Sequence, residues 1–114
     1  MPTLMIKSNA LAATGDHSAL LAAASARLAE LLGKPERYVM VLLEPIAAMS
    51  FGGSAAPAAY LELKSLGLPE ERTPVLSAAL CGLIENHLGV PSRRIYIEFQ
   101  SPPRHLFGHD GGTF

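Results

Sequence analysis

Apolar and polar positions alternate from the start of the chain. Leu4 and Ile6 fall on one face of an extended segment, and Thr3, Met5 and Lys7 fall on the other. The alternation predicts a strand that begins almost at the first residue. Asn9 to Gly15 reads as a loop, with Thr14 or Asp16 placed to cap a helix. Leu20, Leu21, Ala24, Leu28, Leu31 and Leu32 then recur at helical spacing, with Ser25, Arg27 and Glu30 elsewhere on the wheel. Gly33 suits the left-handed position that stops a helix. Lys34 to Arg37 is a short connection. Tyr38 to Leu43 predicts a strand so uniformly apolar that burial on both faces is expected, and Glu44-Pro45 ends it. Ile46 to Pro57 is the least regular stretch. Its Phe51-Gly52-Gly53-Ser54 is a turn or bulge signal and not a phosphate loop, because no Lys-Ser/Thr follows and no helix start lies behind it.

The second half repeats the first. Ala59 to Leu66 predicts a strand, with Leu61 and Leu63 facing one way and Tyr60, Glu62 and Lys64 the other. Glu70 to Leu88 predicts a helix, with Thr73 as N-cap, Pro74 in the first position, and Leu76, Ala79, Leu80, Leu83 and Ile84 as its apolar stripe. Gly89 closes it. Arg94 to Gln100 predicts the last strand, and a Pro- and Gly-rich tail runs from Ser101 to Phe114. Leu4-Met5-Ile6-Lys7-Ser8 matches Leu61-Glu62-Leu63-Lys64-Ser65, and Leu32-Gly33-Lys34-Pro35 matches Leu88-Gly89-Val90-Pro91. Each half is a βαβ unit, since parallel strands need a helical crossover. The expectation is a single α+β domain over residues 1–114. Its repeats, at approximately 2–44 and 59–100, build a four-stranded mixed sheet with two helices on one face, and residues 101–114 form the tail. The other sheet face carries Tyr60, Glu62, Lys64, Tyr96, Glu98 and Gln100 beside the apolar Met5, Met40 and Leu42. Such a mixture fits contact between subunits better than a solvated face.

Composition narrows the function. The 114 residues carry a net charge of −1, which leaves no electrostatic footprint for nucleic acid or an anionic membrane. Apolar residues make up 49% and charged ones 17%, an excess that again hints at buried surface between subunits. The longest apolar run, Ala19 to Leu32, is broken by Ser25, Arg27 and Glu30 and is too short to span a bilayer. Cys81 stands alone, so no internal disulfide forms and a reducing compartment fits. No basic segment followed by an apolar core marks a signal peptide. A cytoplasmic location is expected, or export without a signal peptide. His17, His87, His105 and His109 lack metal-ligand spacing on any helix or knuckle, so no metal or other cofactor is expected.

Pro2 offers chemistry of its own. If Met1 is removed, the first strand opens with a secondary amine. An α-amino group titrates near neutrality, and an apolar pocket with a cation beside it lowers that pKa further. A neutral amine fixed to a strand end is a usable general base.

The chain resembles the macrophage migration inhibitory factor family of the tautomerase superfamily. The features are Met1-Pro2 opening a strand, Gly33-Lys34-Pro35 and then Tyr38, Phe51-Gly52-Gly53-Ser54, Ser65-Leu66-Gly67, Cys81-Gly82-Leu83, Arg94-Ile95-Tyr96-Ile97, and Thr113-Phe114 at the end. They stand in the family's order and near its spacing over essentially the whole chain. The resemblance implies a homotrimer whose three sheets enclose a channel, with sites between neighbouring subunits. It implies keto–enol tautomerisation of phenylpyruvate-type, small aromatic 2-oxo acids, and for some members of dopachrome. Carried over by position, Pro2 is the catalytic base, and Lys34 holds the substrate carboxylate and depresses the Pro2 pKa. Backbone donors near Ser65 and Leu66 bind substrate oxygens. Tyr38, and Tyr96 from a neighbour, line an aromatic pocket with Phe107 and Phe114 at its rim. Without the resemblance, Lys34 reads simply as a charge favourable to a helix C-terminus.

Some positions depart from the family's pattern. Glu98 replaces an Asn beside the pocket and adds a carboxylate there. Lys64 replaces a His, and His109 falls near an aromatic position. Ala58 and Leu61 occupy the family's Cys-x-x-Cys, so no thiol–disulfide oxidoreductase activity is expected, and Cys81 reads as a small core residue. Two alternatives stay open: a cytokine-like, receptor-binding protein with a vestigial site, and a different proline-dependent reaction, decarboxylation or hydration, in which Glu98 positions water.

Overall fold

A computed structural model describes residues 1–114. Strand β1 (Thr3–Ser8) buries Leu4, Ile6 and Ser8 and turns Thr3, Met5 and Lys7 outward, as the alternation predicts. Helix α1 (Ser18–Leu32) follows, then β2 (Met40–Pro45), β3 (Ala59–Lys64), helix α2 (Thr73–Leu88) and β4 (Ile95–Gln100). The sheet order is β2-β1-β3-β4. Strands β1 and β2 are parallel, β3 and β4 are parallel, and β1 runs antiparallel to β3. The predicted α+β fold is therefore present: two βαβ units share one mixed sheet through their first strands.

The helices bury Leu20, Ala24, Leu28 and Leu31 of α1 and Leu76, Leu80 and Ile84 of α2 against Leu4, Ile6, Leu61 and Leu63 of the sheet. Leu21, placed on the same stripe by spacing, is instead 38% exposed. It lies one position round the wheel from Leu20, beyond the sheet's reach.

Gly33 ends α1 in the left-handed conformation, at φ 62° and ψ 35°. Its N–H donates to Glu30 O (3.3 Å) and that of Lys34 to Ala29 O (3.0 Å), which fixes where Lys34 leaves the helix. Neither expected side-chain cap closes the start of α1. His17 stands at the N-cap, while Asp16 Oδ1 accepts the Ser18 N–H at 2.9 Å. Residues Glu70–Arg72 form a separate 3-10 turn, so α2 starts at Thr73 with Arg72, not Thr73, as its N-cap.

Strand β2 differs from expectation in place and in burial. Tyr38 closes a 3-10 turn (Glu36–Tyr38), and the strand runs on through Glu44 and Pro45. Met40 is 58% and Leu42 37% exposed. The helices cover only one face of the sheet, and β2 is at its edge, so the apolar run has a half-buried side (Val41, Leu43) and a bare side in the single chain.

The tail is more ordered than its composition predicts. A 3-10 turn (Arg104–Leu106) leads into a hairpin of β5 (Gly108–His109) and β6 (Gly112–Thr113), turning through Asp110 and Gly111 at φ 49° and 77°. The Gly52-Gly53 turn has the same form, at φ 61° and 77°, bridging Phe51 and Ser54.

Leu28→Ala should lower unfolding free energy by about 3 kcal/mol and Leu21→Ala by less than about 1 kcal/mol, because only the first leaves a cavity. Urea denaturation decides it; equal losses would contradict the buried face assigned to α1.

Candidate active site

The sheet's register collects the chemistry at one end. Thr3 lies opposite Met40 on one side and Lys64 on the other, and Lys64 lies opposite Gln100. The start of β1 therefore meets the start of β2 and the ends of β3 and β4. Pro2 is fully buried there, and its carbonyl accepts the Met40 N–H at 3.0 Å. The connection after α1 brings in Lys34 and Tyr38, and the tail brings in Arg104, Phe107 and Phe114.

Two cavities flank the amino terminus. One, of about 230 Å³, is lined by Met1, Lys34, Tyr38, Leu66, Arg104 and Phe114, with Pro35. The other, of about 220 Å³, has Met1, Arg37, Tyr38, Phe107, His109 and Phe114 among its walls. Met1, Tyr38 and Phe114 belong to both. The aromatic side is itself packed: Phe107 and Phe114 meet at 5.9 Å, His109 stacks on Phe114 at 5.5 Å and 9°, and Arg37 lies 4.6 Å over Tyr38.

The electrostatics favour an anion. No Asp or Glu lines either cavity. The chain's ion pairs, Lys7–Glu44 and Arg27–Glu30, lie elsewhere, so Lys34 and Arg104 have no carboxylate partner. Lys34 Nζ reaches only the Leu66 carbonyl, at 3.4 Å. Burial pushes the terminal amine below its ordinary pKa, and Lys34 and then Arg104 push it further.

The two predicted backbone donors are not equivalent. The Ser65 N–H is already donated to Gln100 O at 3.1 Å, because β3 and β4 stay paired one residue past the strand. The Leu66 N–H donates to no backbone group and is the one left for a ligand.

Tyr96 and Glu98 sit apart from Pro2 within the chain. Tyr96 pairs with Tyr60, which pairs with Lys7, five residues from Pro2. At about 3.3 Å per residue that is roughly 16 Å along the sheet. Glu98 accepts the Tyr60 hydroxyl at 3.3 Å and a bond from the Gln100 side chain. Burial, then Glu98 and Glu62, raise the Tyr60 pKa and keep the phenol a donor.

Comparison with known proteins decides the family. The profile described as "Macrophage migration inhibitory factor (MIF)" matches residues 1–114. The chain belongs to the macrophage migration inhibitory factor family. A homologue of that factor from Trichinella spiralis is 36% identical over 115 residues, covering 100% of both chains. The crystal structure of a homologue from Prochlorococcus marinus superposes with a TM-score of 0.91 at 44% identity, covering 98% of each chain. The factor from Toxoplasma gondii gives a TM-score of 0.90 at 37% identity, over 98% of this chain and 99% of that one. The fold is that of the tautomerase superfamily.

Lys34, Tyr38, Leu66, Phe107 and Phe114 line the two cavities, and Pro2 is buried next to Met1, which lines both. Arg104, Arg37 and the hydrogen-bonded state of Ser65 were not foreseen. Burial also raises the Cys81 thiol pKa, away from the thiolate that thiol exchange needs. No helix is long and apolar enough to cross a membrane.

In protein that retains Met1, Lys34→Gln should raise the titration midpoint of the terminal amine, since the neutral form loses the cation that favours it. NMR titration of the Met1 amine checks the sign; an unchanged or lower midpoint would remove Lys34 from the site's field.

Proposed function

We propose that the protein is a keto–enol tautomerase acting on phenylpyruvate-type 2-oxo acids, with the amine of Pro2 as general base. The carrying observation is that Pro2 is buried beside two cavities, one with Lys34 and Arg104 and no acid and the other largely aromatic, where burial, Lys34 and Arg104 already hold the Met1 amine below its ordinary pKa.

While Met1 remains, the Pro2 nitrogen is an amide and has no basicity. Removal of Met1 makes it a secondary amine at the buried strand end and takes away a wall common to both cavities. Lys34 then pairs with the substrate carboxylate. The Leu66 N–H donates to the oxygen that carries developing charge. Tyr38, Phe107 and Phe114 enclose the aryl group. The amine takes the enol O–H proton, the C=C pair shifts to C3, and the ammonium returns the proton to C3. The keto acid forms with no net gain or loss of atoms.

Tyr96 joins this site only from another subunit, since roughly 16 Å separates it from its own Pro2. The bare face of the sheet, with Met40 and Leu42, supplies apolar surface for that contact, and a homotrimer is the assembly proposed. Glu98, bonded to Tyr60 and Gln100, belongs to the same face.

Protein shown by mass spectrometry to lack Met1 should convert enol-phenylpyruvate. Retention of Met1, or Pro2→Gly, should cut kcat/KM by about a hundredfold or more, the usual contribution of a general base. The activity should appear as pH rises through the amine pKa, with the limb below about 8, the ordinary α-amino value. Conversion that is indifferent to Met1 would end the proposal. Sedimentation should give three chain masses; a monomer would strip Tyr96 of its role.

A further inference from the structure

The aromatic monoacid proposed above leaves one strong group idle. Lys34 suffices for a single carboxylate, yet Arg104 lines the same cavity of about 230 Å³. The two cations arrive on independent supports. Lys34 follows the left-handed closure of α1. Arg104 follows Pro102-Pro103 and opens a 3-10 turn, in which its own carbonyl accepts the Phe107 N–H at 3.2 Å and Pro103 O accepts the Leu106 N–H at 2.9 Å. Arg104 has no ion-pair or hydrogen-bond partner for its guanidinium, unlike Arg72 and Arg94, whose guanidinium groups are taken up by carbonyls. Two unpaired cations around one small cavity without an acid repel each other until anions enter.

We infer that Arg104 is a specificity-determining residue, and that the site favours short 2-oxo acids carrying a second carboxylate. This rests on the tautomerase reading of the same site. Lys34 takes the carboxylate next to the 2-oxo group as a point charge. The planar guanidinium of Arg104 takes the distal carboxylate through paired N–H donors. Removal of Met1 opens this cavity and leaves Lys34 and Arg104 on its wall, so the two charges rather than the volume set the preference. An aryl substrate would direct its ring to the neighbouring aromatic cavity and leave Arg104 unpaired.

The test uses Met1-free protein and two probes, the enols of 2-oxosuccinate and of phenylpyruvate. Arg104→Gln should lower the ratio of kcat/KM for the diacid over the monoacid by about tenfold, through KM, as expected for one lost charge-assisted pair. Arg104→Lys keeps the charge and loses the paired donors, so its ratio should fall by less than that of Arg104→Gln; an equal fall would show that charge plays no part. An unchanged ratio in Arg104→Gln overturns the inference. Calorimetry with succinate and propionate reads the same pairing without chemistry, and their affinity ratio should fall in Arg104→Gln by a similar factor. If the wild-type protein converts neither enol, the tautomerase reading fails. The calorimetric ratio then still decides the role of Arg104: a fall supports it, and no change refutes it.

Discussion

The antiparallel pairing of β1 with β3 is the constraint on which the rest depends. It joins the two βαβ units into one sheet and makes β1 a central strand. Chain termini usually fray, because nothing holds their backbone. Here the first strand has a partner on each side, so residue 2 is buried and hydrogen-bonded almost from the terminus. The same antiparallel register places Thr3 against Lys64, which sets Pro2 beside Ser65 and Leu66. A parallel arrangement would have put the start of β1 beside the start of β3, far from the free Leu66 amide.

The two units share a backbone and differ in chemistry. In both, a left-handed glycine closes the helix, a proline follows, and a 3-10 turn leads into the second strand. Lys34 of the first unit corresponds to Val90 of the second, and Tyr38 to Arg94. Val90 is fully buried in the core. Arg94 turns inward to the carbonyls of Phe51, Ser54, Ala56 and Pro57 at 3.0–3.1 Å and pins the Gly52-Gly53 turn, with its guanidinium 5.1 Å from the Phe51 ring. The first unit thus places a lysine where the second has a core valine, and the second places a loop-binding arginine where the first has a tyrosine. That asymmetry leaves Lys34 without a carboxylate partner while Arg94 is fully engaged.

Much of this was legible in the sequence, for identifiable reasons. The period of two in Leu4-Ile6 and Leu61-Leu63 predicted which strand faces are buried, and Gly33 and Gly89 marked helix ends because their conformation excludes most side chains. Pro2 was legible as a usable base once Met1 is removed, whereas Lys34 and Tyr38 were legible only through the family resemblance, since each alone reads as a helix-end charge or a packing residue. The exposure of β2 was not legible: a continuous apolar run is the same in a strand covered on both faces and in an edge strand awaiting another surface. The tail hairpin was missed because two-residue strands have no period, although Asp110-Gly111 is a turn signal. Arg104 carried no signal in one dimension. Its importance comes from two chain segments about seventy residues apart meeting at one cavity.

The single chain leaves apolar surface uncovered at one edge of its sheet. Strand β2 presents a free edge and a bare apolar side, both of which invite pairing with another chain. Tyr96, 66% exposed and packed on Phe51 at 4.7 Å, stands at the opposite end of the sheet from Pro2. A head-to-tail contact, in which one copy's β4 end meets the next copy's β2 edge, would answer both at once. It would cover Met40 and Leu42 and carry each Tyr96 toward a neighbour's Pro2. Such a heterologous contact must close into a ring or grow without limit. The same outward face of the sheet also carries Lys7, Lys64, Glu62 and Glu98. The mixture of charge and apolar surface on that face would then divide between an apolar contact at Met40 and Leu42 and a charged remainder.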